Sequence, residues 1–221
     1  MSAMPTSGAV AAPPRPLLRG AFHLAAALLA PFGLALLLLL AHSPRAYVGA
    51  AIFGASLMAC FTVSATYHML PWSDLGRNIM KRFDHAMIFA LIAGTYTPFC
   101  LLVLNNGWGI PILAVVWSLA GVGMIVKLAW PSAPRWLSVG AYLAVGWLAV
   151  VASVPIVSDL ALAPLLLLIA GGLMYSVGAL IYAMRRPDPF PRVFGYHEVF
   201  HVLVVGAGGI HFSLVAVYLL R

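Results

Sequence analysis

Two histidines four residues apart open the last hydrophobic run of the chain, in the string His197-Glu198-Val199-Phe200-His201. At that spacing on a helix both rings project from one face, where they can grip a single metal ion. Two ligands do not complete a site, but suitable residue types recur upstream. Ser64 and His68 are also four apart, in Ser64-Ala-Thr-Tyr-His68 just before Pro71, and Asp84 follows in Arg82-Phe83-Asp84-His85. Three neutral imidazoles with an open fourth position are the ligand set of catalytic zinc in several enzymes. A carboxylate outside that set, here Asp84, could hydrogen-bond to the water that such an ion activates. A hydroxyl such as that of Ser64 could orient the water or donate to a developing oxyanion.

The elements that must bring these five residues together follow from composition. Of 221 residues, 63% are hydrophobic and only 8% are charged, where a soluble domain is about a quarter charged. Such a chain cannot cover its own surface with polar groups, so its solvent is lipid and it is an integral membrane protein. Ionisable groups inside membrane spans are costly and mark functional sites by default. Cys60 and Cys100 both lie inside hydrophobic runs without a Cys-x-x-Cys pair, which excludes a disulfide framework and a Cys-based zinc site. They read as small buried hydrophobes.

Seven apolar segments are expected as membrane helices, at residues 20–41, 47–70, 83–104, 108–129, 136–157, 160–184 and 195–220. Each is close to the ~20 residues that cross a bilayer core. The fold class is therefore an all-α membrane protein, a seven-transmembrane helix bundle forming one domain over 20–221. Residues 1–19, rich in Pro and Ala, are expected to be a disordered tail. The run after it is long and lacks a small-residue cleavage site, so it reads as a retained span and not as a signal peptide. The connectors are short, so consecutive helices must run antiparallel.

The basic residues fall unevenly on alternate sides. The tail and the even-numbered connectors carry Arg15, Arg19, Arg77, Lys81, Arg82, Lys127, Arg135, Arg185, Arg186 and Arg192, while the other side carries Arg45 and Arg221. This asymmetry predicts a cytoplasmic N-terminus and a C-terminus outside. The net charge of +7 is thereby accounted for by topology, and nucleic acid is excluded as a partner.

Under that topology the second helix ends, and the third and seventh begin, at the cytoplasmic side. Ser64, His68, Asp84, His197 and His201 then fall within about two helical turns, ~11 Å, of one level. Nothing in the hydrophobic pattern forces that coincidence. His85 is expected to face away from Asp84, and Glu198 to lie off the face shared by His197 and His201. His23 and His42 read as interfacial residues near the ends of the first helix. His211 lies ~15 Å beyond His201 along the axis, too far to share an ion, and is expected to make a buried hydrogen bond.

The strings Ser64-Ala-Thr-Tyr-His68, Phe83-Asp84-His85-Ala-Met-Ile-Phe-Ala-Leu-Ile-Ala-Gly-Thr-Tyr-Thr-Pro98 and His197-Glu-Val-Phe-His201 resemble the hemolysin III family. That family is the bacterial branch of the progestin and adipoQ receptor (PAQR) group, and the resemblance covers essentially everything after the tail. It implies an N-inside seven-helix bundle in the bacterial inner membrane. It also implies a Zn²⁺ ion held by His68, His197 and His201, with Asp84 and Ser64 beside the water. The wider superfamily includes alkaline ceramidases, which implies a hydrolase of a lipid amide acting at the cytoplasmic leaflet on a membrane lipid.

Three other functions fit parts of the sequence. A receptor or regulator could use the zinc structurally. A pore-forming cytolysin would suit the family name, although no polar stripe lines a channel through the bundle. His197–His201 also matches the His-Glu-x-x-His pattern of metalloproteases, in which the Glu is the general base; His68 with Ser64 and Asp84 completes a site without it.

Overall fold

A computed structural model of the chain describes residues 15–104, 107–152, 156 and 160–220. Among them are seven α-helices: α1 (Ala21–Leu40), α2 (Pro44–Met69), α3 (Asp74–Leu102), α4 (Gly109–Ala129), α5 (Arg135–Gly146), α6 (Leu162–Met184) and α7 (Tyr196–Leu214). A 3₁₀ run over Trp147–Ala152 extends α5, and a π-helical turn over Val215–Leu219 extends α7. All except α5 are long and apolar enough to cross a membrane.

Local chemistry sets the helix starts. Ser43 accepts a hydrogen bond from the Ala46 amide and Pro44 occupies the first turn of α2, a combination that satisfies an otherwise unpaired donor and presets the backbone. Ser73 does the same for the Gly76 amide at the start of α3, with Asp74 in the first turn. That cap starts α3 at Asp74 and not at residue 83, so Arg77, Lys81 and Arg82 ride on the helix and not in a connector. Charge marks where a span leaves the hydrocarbon, but the backbone need not stop there. The end of the expected fifth segment falls on residues 153–155 and 157, outside the described residues.

The last residues of the expected tail are held in place. The Leu17 amide donates to the Arg192 carbonyl at 2.9 Å and the Leu18 amide to the Val193 carbonyl at 3.1 Å. Residues 1–14 lie outside the described residues.

In sequence order α1 packs on α2, α2 on α3, α3 on α4, and α6 on α7, while α1 also meets α7. One core cluster joins α1, α2 and α7 to one face of α3 through Leu37, Phe53, Phe61, Phe99, Val204 and Leu214. A second joins the other face of α3 to α4 and α5 through Phe89, Cys100, Val116, Ala120 and Tyr142. The most apolar stretches of α2, α3 and α7 are 56, 50 and 39% buried, against 17 to 22% for α1, α4 and α6. The helices that carry the candidate residues are therefore those shielded best from lipid.

Small residues set the spacing of α2 and α3. A Cβ on Gly94 would run into the Ser56 side chain, and one on Gly49 would come within 3.0 Å of the Pro98 backbone. Helices that close can pack backbone to backbone, which is how membrane bundles gain cohesion when the solvent is as apolar as the interior.

Candidate metal centre

His68 sits in the last turn of α2, which closes when the Leu70 amide and the Trp72 indole both donate to the Thr66 carbonyl. His197 and His201 sit in the first two turns of α7. That helix starts at Tyr196 because a Glu198 carboxylate oxygen takes the Gly195 amide at 2.8 Å. The two ends face each other. The Nε2 atoms of His68 and His197 are 3.1 Å apart, and ligand atoms of His68, His197 and His201 all lie within 4.8 Å of one another.

Tetrahedral bonds of ~2.0–2.1 Å place ligand nitrogens about 3.3 Å apart, so the His68–His197 pair already has that spacing. His201 is 1% exposed and its Nδ1 has no hydrogen-bond partner among the described residues. Buried polar atoms are nearly always satisfied. Three imidazoles turned on one another, with ligand atoms this close, fit a divalent cation by donor type and by spacing.

Asp84 enters from α3. Its Oδ2 is 3.9 Å from His68 Nε2, and both side chains are nearly buried. That separation is too long for a direct hydrogen bond and suits a carboxylate beside the imidazole cluster. Ser64, buried one turn of α2 before His68, lines the same cavity as Asp84. The five residues singled out in the sequence thus meet at one place.

Glu198 is off the imidazole face. It is fully buried; one oxygen accepts the Gly195 amide and the other pairs with the Arg19 guanidinium. This engagement weighs against a metalloprotease-like base. His211 makes the expected buried contact, its Nε2 lying 3.3 Å from the Leu168 carbonyl.

Two residues have larger parts than the sequence indicated. His23 is 3% exposed and lies flat on His201, ring centroids 3.8 Å apart and 6° from parallel. His85 lines the same cavity as Asp84, with its Nε2 3.5 Å from the Tyr182 hydroxyl. His23 lies in the first turn of α1, which starts at the end of the bundle where His68, His197 and His201 sit.

Two cavities meet at the cluster and share His85, Tyr182 and His197 in their walls. The larger, about 340 Å³, runs from Ser64, Asp84 and His201 past Thr95 and Phe99 to Cys100 and Leu104, between walls that are almost wholly apolar. From Asp84 to Cys100 along α3 it spans about 24 Å. Its side wall includes Trp147, Val150 and Ile169, which are 46, 56 and 47% exposed, so it reaches the lipid-facing surface between the 3₁₀ run and α6. The smaller recess, about 170 Å³, is lined by Arg15, Arg19, Arg77, Lys81 and Arg135 together with His68 and His197.

The family model described as "Haemolysin-III related" matches residues 12–212. A "Hemolysin-3 homolog" of Bacillus subtilis (strain 168) is 35% identical over 170 residues, 77% of this chain and 76% of that one. A "Hemolysin-3" of Bacillus cereus is 32% identical over 191 residues, 84% of each. An "Adiponectin receptor protein" of Drosophila melanogaster is 29% identical over 182 residues, 73% of this chain and 41% of the other.

Proposed function

This chain belongs to the haemolysin-III related family, and we propose that it is a zinc-dependent hydrolase of a membrane-lipid amide, working at the cytoplasmic leaflet. It is a multi-pass bacterial membrane protein, with six helices of spanning length and bacterial hemolysin III relatives. Its His68, His197 and His201 can hold a metal ion. The observation that carries the proposal is the position of these three imidazoles, with Asp84 and Ser64, at the end of an apolar cavity that reaches the lipid-facing surface.

Bound by the three imidazoles, zinc would supply Lewis-acid chemistry, polarising an acyl carbonyl and making water a better nucleophile. The chain's own groups supply the rest. Asp84 takes a proton from the attacking water as its oxygen bonds to the acyl carbon. It returns that proton to the amine nitrogen as the carbon–nitrogen bond breaks, releasing a fatty acid and an amine. Ser64 holds the Asp84 carboxyl or donates to the developing oxyanion. The apolar walls take the acyl chain, and their ~24 Å exceeds the roughly 15 Å depth of one leaflet.

The topology is part of the proposal. The 12 residues of α5 and the six of the 3₁₀ run span together about 30 Å, the thickness of a bilayer core. Counting them as a seventh span leaves the N-terminus inside, the C-terminus outside and the histidine cluster at the cytoplasmic leaflet. A second reading, a receptor with a structural zinc, draws support from the Drosophila relative's name. The two part on one experiment: Asp84→Asn should keep the metal and lose fatty-acid release from ceramide-like lipids. Wild-type protein that carries zinc and releases no fatty acid from such lipids supports the receptor.

A further inference from the structure

The basic recess is not explained by an amide hydrolase acting on an uncharged lipid. Its cations come from three separate elements: Arg15 and Arg19 before α1, Arg77 and Lys81 on α3, and Arg135 at the start of α5. No carboxylate lines it, and Arg19 alone among these five has a carboxylate partner among the described residues.

An excess of basic residues at this end is what topology demands, but topology does not demand that they converge. Arg185, Arg186 and Arg192 belong to the same end and do not line the recess. Arg82 sits one position from Lys81 and is spent on the Leu128 carbonyl at 2.7 Å. Arg77 and Lys81, by contrast, are four apart on α3, so they share a face, and like charges at that spacing repel. Arg135 is held in place: its guanidinium lies 4.8 Å from the centre of the Tyr182 ring and donates to the Tyr182 carbonyl at 3.3 Å. Arg19 is anchored by Glu198 behind it. Five converging cations, two of them anchored and four without a carboxylate partner among the described residues, are a setting in which proteins bind phosphate-type anions.

The recess also has an address. His68 and His197 form part of its wall, and it shares His85, Tyr182 and His197 with the apolar cavity. A molecule filling both would be an amphiphile, with its chain among Thr95, Phe99 and Cys100, its anionic group among Arg77, Lys81 and Arg135, and its middle at the imidazoles. We propose that the recess binds the phosphate-type headgroup of the lipid whose acyl chain fills the apolar cavity. The substrate class is then an anionic, phosphate-bearing N-acyl lipid and not a neutral one. This inference rests on the lipid-amide reading above, and it concerns the headgroup alone.

The test uses zinc-loaded full-length protein in lipid nanodiscs. Binding of a ceramide-type lipid is measured beside that of the same lipid carrying a phosphate monoester, and fatty-acid release from both is followed in the same preparation. Wild type should favour the phosphorylated lipid by about tenfold or more. An Arg77→Gln/Lys81→Gln variant should reduce that preference to about twofold or less, while Arg186→Gln/Arg192→Gln should leave it intact. If the double glutamine variant fails to fold, Arg77→Gln alone should lower the preference and Arg77→Lys should restore it. Equal affinity for the two lipids in wild type, or a preference that survives loss of Arg77 and Lys81, overturns the headgroup inference. So does inorganic phosphate that binds as tightly as the lipid, which would make the ligand a soluble anion. Release of fatty acid without headgroup preference removes this inference and leaves the hydrolase; preference without release from either lipid does the reverse.

Discussion

The imidazole of His23 lies flat against that of His201, 3.8 Å between centroids and 6° from parallel. His201 is thereby clamped from α1, while His68 approaches it from α2 at 5.0 Å between ring centroids. Both His23 nitrogens lack hydrogen-bond partners among the described residues, and the ring meets His201 through its flat face. His23→Ala should weaken metal retention about tenfold, the effect expected when a group that orients a ligand is lost. His23→Phe keeps the flat contact and should stay near wild type. Zinc content after graded chelation reads both; equal retention in all three proteins would remove the orienting role.

Metal analysis is the direct check on the centre. Wild type should carry about one zinc per chain, and His68→Ala or His201→Ala should abolish it, since two imidazoles make a poor zinc site. Full zinc in both variants would exclude the centre. Asp84→Asn should retain the metal while fatty-acid release falls by about 10²–10⁴-fold.

Glu198 and Arg19 pair at the back of the centre, the carboxylate fully buried and the guanidinium 22% exposed. Removing the cation strands a buried charge, so Arg19→Met should cost about 3–5 kcal/mol of stability. Glu198→Gln keeps an oxygen for the Gly195 amide and should cost less. At temperatures where it stays folded, fatty-acid release should remain close to wild type. A loss of several orders of magnitude with the metal retained would instead make Glu198 the base.

Gly94 tests whether helix spacing governs the chemistry. Its missing Cβ makes room for Ser56, so Gly94→Leu must push α2 and α3 apart and should cost about 1–3 kcal/mol. His68 and Asp84 ride on those two helices, so release should fall further than stability alone predicts. A variant that is destabilised yet fully active per folded molecule would uncouple the spacing from the site.

Much of this was legible in the chain. Hydrophobic run length located the six helices of spanning length, because a bilayer imposes nearly the same length on each span. The depth of polar residues gathered Ser64, His68, Asp84, His197 and His201, because ionisable groups are tolerated in few places inside a membrane. What the sequence hid is lateral. Which residues of α1 face α7 depends on helix rotation, so the His23–His201 stack did not show in a one-dimensional pattern. The Arg19–Glu198 pair joins residues 179 positions apart, and only folding reveals it. The early start of α3 was obscured for a different reason: Arg77, Lys81 and Arg82 look like the end of a span to a hydropathy count, whereas Ser73 and Asp74 provide the helix start.

Helices α1 and α7 meet at the histidine cluster. Arg19 just before α1, His23 in α1 and His68 on α2 are all made before Glu198, His197 and His201 of α7. Chains grow and organise from the N-terminus, so a nascent chain that stops before α7 cannot present the three-imidazole cluster. A ribosome-bound intermediate or a truncated product stopping before α7 lacks two of the three imidazoles and the partner of Arg19. With the proposed centre, uptake of the ion should report that α7 has been inserted and docked, and chains that stop before α7 should fail to take it up.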